Sequence, residues 1–196
     1  MWLRSFMKGI FKVYCSIMYR VTVVGNENIP DEGAYILCAN HVHAMDAISY
    51  VVNEKRMFYI MAKAELFEGK FKNWFFTNVA AFPIKRGKGD TEALDVAKKL
   101  LKDGQMLFIF PEGTRNGLAK GGRMKKGAAM LALAGNAPII PIGIKGDYKP
   151  FSKVRISVGK PITLEKYTTG EDLNPRDVVA LTQEMQAEII KLRDAE

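Results

Sequence analysis

An α/β domain is the architecture this chain predicts. Short apolar runs of strand length alternate with segments of helical periodicity, and polar and charged residues gather where the apolar runs end. No internal repeat, low-complexity tract or linker divides the chain. With 196 residues, 48% of them hydrophobic, one core is sufficient. The expectation is a single domain with a central mixed β-sheet flanked by helices, spanning 21–196, preceded by an N-terminal amphipathic helix over 1–20.

Each element has its own signal. In the first twenty residues Arg4, Lys8 and Lys12 recur at every fourth position, which places them on one side of a helix, while Trp2, Phe6, Ile10, Val13 and Ile17 fall on the other. Val21 to Val24 and Ala34 to Ala39 read as strands separated by a turn-rich segment with Gly25, Pro30 and Gly33. Met57 to Ala62 is a third strand. Glu65 to Asn78 suits a helix with an aromatic face of Phe67, Phe71, Trp74 and Phe75, which points to core packing or to the wall of an apolar tunnel. Ala80 to Ile84 is extended, Thr91 to Lys102 is a helix closed by Gly104, and Gln105 to Phe110 is an apolar strand running into a charged loop. Lys125 to Ala134 reads as a small-residue helix, Pro138 to Ile144 and Val154 to Val158 as strands, and Pro175 to about Arg193 as the last helix.

The formal net charge of +8 favours an anionic partner. Nucleic acid is not that partner by this reading, because the aromatics cluster with apolar residues and no recognition module is present. The two cysteines, Cys15 and Cys38, have neither disulfide-framework nor zinc spacing, which suits a reducing cytosolic environment. No apolar stretch approaches the roughly 18 residues a spanning helix needs, and the N-terminal segment has the wrong pattern for a cleaved signal. A basic amphipathic helix suits a bilayer interface and peripheral attachment to the cytoplasmic face of the cell membrane. Packing of its apolar face on the body of the protein is the competing reading.

Both histidines lie in Asn40-His41-Val42-His43-Ala44-Met45-Asp46, just past a strand. If the chain turns there, Asp46 can accept a ring N–H from His41, which sets the tautomer and strengthens the other nitrogen as a base. Capping of the next helix is the plainer alternative. No serine or cysteine stands in a nucleophile context, so such a base would activate a substrate hydroxyl. His41, His43 and Asp46 make a poor metal site without further ligands, and no metal is expected. In Phe110-Pro111-Glu112-Gly113-Thr114-Arg115, Gly113 allows close backbone approach, Thr114 adds a hydroxyl, and the planar fork of Arg115 matches a phosphate. Lys85 and Arg86 follow another extended run and suit either a phosphate site or a solvated turn. Lys120, Arg123, Lys125 and Lys126 beyond the loop suit steering of an acidic ligand or a solvated helix start. Ala137 to Gly143 is structural by composition.

These four blocks, in this order across most of residues 34 to 145, resemble those of the glycerolipid acyltransferases typified by the 1-acyl-sn-glycerol-3-phosphate acyltransferases. Asn40, His41 and Asp46 match the family's N-H-x-x-x-x-D motif, residues 110 to 115 match its F-P-E-G-T-R motif, and Pro141 matches its proline-containing fourth block. The resemblance implies that His41 is the catalytic base with Asp46 as its partner. It also implies that Arg86, Glu112, Gly113 and Arg115 bind the acceptor phosphate. His43 departs from the family, whose members often carry a small polar residue there, and no role transfers to it. The implied reaction moves an acyl group from acyl-CoA or acyl-acyl carrier protein, with no bound cofactor, to the sn-2 hydroxyl of lysophosphatidate at a membrane surface. Phosphatidic acid for phospholipid biosynthesis is the product. Glycerol 3-phosphate or another lysophospholipid is the rival acceptor, and a non-catalytic anionic-lipid binder is the rival class.

Overall fold

Strand-length apolar runs assemble into one mixed sheet in the computed structural model, which describes residues 2–85, 91–170 and 172–195. The strands are β1 (Tyr19–Val24), β2 (Ile36–Ala39), β3 (Phe58–Lys63), β4 (Ala81–Ile84), β5 (Met106–Ile109), β6 (Ile139–Lys145) and β7 (Ser152–Val158). The helices are α1 (Trp2–Met18), α2 (Asp46–Val51), α3 (Lys70–Asn78), α4 (Thr91–Lys102), α5 (Gly127–Ala134) and α6 (Pro175–Asp194). Spatial order across the seven-stranded sheet is β1-β7-β6-β2-β5-β3-β4. Strands β2 to β6 run parallel, β7 is antiparallel to β6, and β1 is parallel to β7.

Central strands covered on both faces need apolar residues at consecutive positions, which is why β2 and β5 read as unbroken hydrophobic runs. Ile36 and Cys38 of β2, with Leu107 and Ile109 of β5, join α4, α5 and α6 in one apolar cluster. Leu37 and Ala39, with Met106 and Phe108, join Cys15 of α1 and Tyr50 of α2 in the other. On the first face α6 lies directly against β6. A β-carbon on Gly143 would come within 2.2 Å of the Arg193 nitrogen and 2.4 Å of the Leu192 carbonyl carbon, so only glycine permits this approach.

The connections give the sheet its binding edge. From β2 the chain passes through α2 to β3 on one side, whereas from β5 it passes through α5 to β6 on the other. Adjacent strands whose connections diverge open a crevice at their carboxyl ends, and β2 and β5 are such a pair. The Asn40–Asp46 and Phe110–Arg115 loops emerge there.

Two elements depend on the tertiary structure for their final form. The helix expected over 65–78 is divided: residues 64–67 form a 3-10 turn, Gly69 takes a left-handed φ of 91°, and α3 starts at Lys70. Its aromatics also divide. Phe67 is buried, but Phe71 is 74% and Trp74 51% exposed, so these two are neither core nor tunnel wall. The second is the orientation of α1. Two residues of its basic side face the protein, while Lys12 is exposed: Arg4 donates to the Phe58 carbonyl at 2.8 Å, and Lys8 donates to the Glu54 carbonyl. The Arg4 guanidinium also sits over the Phe58 ring, 5.4 Å from its centroid, and burial lowers its pKa. Val13 and Ile17 remain 61% and 63% exposed. The apolar stripe therefore points away from the body, so of the two readings of this helix, packing of the stripe on the protein is the one not observed. Backbone carbonyls at the edge of the fold provide acceptors that hold the cationic side instead. Among the described residues, no helix is long and apolar enough to cross a membrane.

Candidate active site

β2 ends at Ala39, and the next residue anchors the loop. The Asn40 side-chain amide donates to the Ile144 carbonyl at 2.8 Å and its oxygen accepts the Ile144 N–H at 2.6 Å, a two-point clamp across to β6. His41 follows. Its Nδ1 lies 2.8 Å from Asp46 Oδ2, and the same oxygen accepts the backbone N–H groups of Val42 at 2.7 Å and His43 at 2.8 Å. Three donors converging on one carboxylate oxygen lock the loop into a tight turn at the start of α2. The pairing places the ring hydrogen on Nδ1, which leaves Nε2 with its lone pair free for proton transfer. Asp46 is fully buried, whereas the His41 side chain keeps 15% exposure. Of the two alternatives in the sequence, pairing is the one observed: Asp46 is the first residue of α2, the N-cap position is Met45 with no side-chain cap hydrogen bond, and the Asp46 carboxylate binds the imidazole and the preceding turn.

The second loop meets the first through Glu112. One carboxylate oxygen accepts the His41 N–H at 2.7 Å and the other accepts the Leu118 N–H at 2.7 Å. A further bond runs from the Asn116 N–H to the His41 carbonyl at 2.6 Å, and the Phe110 ring stacks on the imidazole at a centroid distance of 4.0 Å. Glu112 is buried and its two oxygens are occupied by backbone donors, so its side chain holds the loop's shape. Gly113 adopts a φ of 68°, and a β-carbon there would meet the Lys125 ammonium at 2.7 Å. Lys125 therefore crosses the glycine, and its own N–H binds the Pro111 carbonyl at 2.9 Å. Thr114 and Arg115 are exposed on the loop.

Further cations lie at the same carboxyl edge of the sheet. Lys63 closes β3 opposite Ile84 of β4, and Lys85 follows that residue. Arg86 lies outside the described residues. Lys63, paired with Glu65 at 2.8 Å, has no signal in the sequence, because a lysine ending a strand has no motif of its own. The Asn40 clamp was equally invisible, since its partner is more than one hundred positions away. His43 receives a structural assignment. Its Nδ1 accepts the Met45 N–H at 3.2 Å, and its ring stacks on Tyr148 at 4.9 Å. Among the described residues, no three His, Cys, Asp or Glu side chains gather as metal ligands.

An oriented histidine, a glycine-arginine loop tied to it, and surrounding cations form a site chemically suited to activating a hydroxyl on an anionic acceptor. The sequence model of the family described as Acyltransferase matches residues 20–145. A 1-acyl-sn-glycerol-3-phosphate acyltransferase from Bacillus subtilis is 29% identical over 164 residues, covering 81% of each chain. One of the same name from Helicobacter pylori is 31% identical over 189 residues, covering 90% of this chain and 78% of that protein. The crystal structure of the 1-acyl-sn-glycerophosphate acyltransferase PlsC from Thermotoga maritima superposes with a TM-score of 0.74 at 23% identity, over 98% of this chain and 81% of that one. By the family match over residues 20–145, the chain belongs to the acyltransferase family.

Proposed function

We propose that this enzyme transfers an acyl group from a thioester to the sn-2 hydroxyl of 1-acyl-sn-glycerol 3-phosphate, giving phosphatidic acid. The observation that carries the reading is the 2.8 Å contact between His41 Nδ1 and Asp46 Oδ2, set beside a phosphate-type loop through Glu112. The names of the Bacillus and Helicobacter relatives support the choice of acceptor.

In this mechanism His41 Nε2 takes the hydroxyl proton as the oxygen attacks the thioester carbonyl, and Asp46 stabilises the imidazolium. Collapse of the tetrahedral intermediate breaks the C–S bond, and the imidazolium returns its proton to the departing sulfur. The acyl donor is acyl-CoA or acyl-acyl carrier protein, and the protein brings no bound cofactor. Arg115, Thr114 and the Gly113 backbone receive the acceptor phosphate together with Arg86. Glu112 contributes by holding that loop against His41, and Lys63 and Lys125 add positive potential. The N–H groups of His41, Val42 and His43 are already engaged by carboxylates, so the oxyanion donor is sought elsewhere in the crevice.

The membrane is the natural location for such an acceptor. The outward Val13 and Ile17 of α1, with Phe71 and Trp74 of α3, offer apolar side chains to the acyl boundary of a cytoplasmic leaflet. Thiol release with lysophosphatidate, glycerol 3-phosphate and lysophosphatidylcholine in parallel tests the assignment. Wild type is expected to act on lysophosphatidate, and His41→Ala to lose ~10²- to 10⁴-fold in kcat while remaining folded. Arg115→Ala is expected to raise KM for the acceptor. Full activity in His41→Ala overturns the mechanism, and transfer confined to another acceptor overturns the substrate.

A further inference from the structure

Asp46 Oδ2 is saturated, but its second oxygen is not. Asp46 Oδ1, Ser49 Oγ and the Tyr148 hydroxyl are all buried, and among the described residues none of the three has a hydrogen bond of ordinary geometry. Yet they belong to one cluster. The Tyr148 phenol lies close enough to Ser49 and Asp46 for both to act on its ionisation, and the Cys15 thiol of α1 stands next to Ser49. A charged carboxylate oxygen in such a setting is costly unless a donor reaches it, and each hydroxyl carries one.

The Tyr148 ring is held in place independently of its hydroxyl. It stacks on His43 at 4.9 Å with an interplanar angle of 19°, and Tyr19 meets it edge-on at 5.2 Å. Its backbone adopts a left-handed φ of 52° in the loop between β6 and β7, a conformation that non-glycine residues maintain only when surroundings impose it. The side chain is 5% exposed. A buried phenol in a backbone conformation disfavoured for its type, its ring packed on the same turn whose N–H groups bind the orienting carboxylate, is more than filler.

We propose that Tyr148 is a positioning residue for the His41–Asp46 pair, its hydroxyl donating to Asp46 Oδ1 from behind, with Ser49 beside it, so that Oδ2 stays directed at His41. This rests on the reading of His41 as the general base. Burial, and then the neighbouring Asp46 charge, raise the phenol's pKa, which keeps it protonated and able to donate. The titratable groups facing the pair are Glu112 from the β5 loop, His43 on the same turn, Tyr148 from the β6–β7 loop, and Cys15 of α1 behind Ser49.

Removing a donor from Oδ1 concentrates charge on the carboxylate and makes the adjacent imidazole harder to deprotonate. Tyr148→Phe is therefore expected to lower kcat about tenfold with KM for lysophosphatidate little changed. The acid limb of its kcat profile should move to higher pH by about half a unit or more. The chain has only two histidines, so the His41 imidazole can also be followed directly by NMR, assigned with His41→Ala. Its titration midpoint should rise in Tyr148→Phe whether or not transfer is measured. Replacing Tyr148 by 3-fluorotyrosine keeps the ring and strengthens the donor, and should lower the midpoint even if the phenylalanine variant fails to fold. An unmoved His41 midpoint in the folded variants overturns the proposal, as does a fall in kcat without a shift of the acid limb. Absence of acyl transfer in wild type overturns the functional reading instead, and the imidazole titration still decides the role of Tyr148.

Discussion

Asp46 shows how much one carboxylate oxygen can organise. Val42, His43 and His41 all donate to Oδ2, so the turn after β2 and the tautomer of His41 depend on the same atom. Asp46→Asn offers one uncharged oxygen to three donors and cannot stabilise an imidazolium. Steady-state assays should show a loss of ~10²- to 10⁴-fold in kcat, with a folded protein by circular dichroism. Glu112 depends on being a carboxylate for a different reason. Each of its oxygens accepts a backbone N–H, and in Glu112→Gln one of those donors would face an amide NH2. Thermal denaturation is expected to show a loss of about 1–3 kcal/mol. Activity should fall as well, because the two loops lose their tie. The pairing of His41 with Asp46 was legible from a spacing of five. The clamp from Glu112 to His41 was not, because a glutamate beside a phosphate-type loop reads as a ligand until its acceptors are seen to be occupied.

At the level of elements, α1 is oriented by hydrogen bonds and not by its apolar stripe. Arg4 reaches carbonyls at the start of β3 and after α3, Phe58 at 2.8 Å and Val79 at 3.5 Å. Only Cys15, with Phe11 and Met18 partly buried, packs into the apolar cluster beneath. Double replacement Val13→Asp with Ile17→Asp should leave thermal stability within about 0.5 kcal/mol, since both side chains are exposed. Sedimentation with anionic liposomes should drop sharply in the same variant. Retained liposome binding would remove α1 from the membrane contact. The periodicity of α1 was plain in the sequence, but the face it presents was not, because periodicity distinguishes two sides without saying which one the neighbours can satisfy. The split at Gly69 was missed for a related reason: an isolated glycine within a helical pattern is compatible with continuation until its φ is known.

Across the whole molecule, β2 and β5 make the site because their connections diverge, and α6 braces the sheet from one face. Gly143 is the contact that makes this bracing possible. Gly143→Val would press a branched side chain into the α6 backbone, and about 3 kcal/mol or more of stability should be lost in denaturant titration, with poor soluble yield. The cysteines report on the integrity of the same core. Cys38 is fully buried between the sheet and its helices, Cys15 is nearly so under α1, and burial raises the pKa of both thiols. Native protein should react with a thiol reagent only slowly at neutral pH, and both thiols should become reactive on unfolding. Rapid modification of Cys15 alone would reveal detachment of α1 as a unit.

The order of strands and helices, the class of fold and the two motif loops could be read along the chain, because hydrophobic periodicity and turn residues act locally. The histidine, its aspartate and the glycine-arginine loop were visible for the same reason: each motif is contiguous, and its chemistry follows from residue type and spacing. What required the tertiary structure were the relations between distant segments. Asn40 grips Ile144, Glu112 holds His41, and Arg4 turns the apolar side of α1 outward. Each depends on which donor or acceptor the folding of the sheet brings within about 3 Å, and no local pattern encodes that distance.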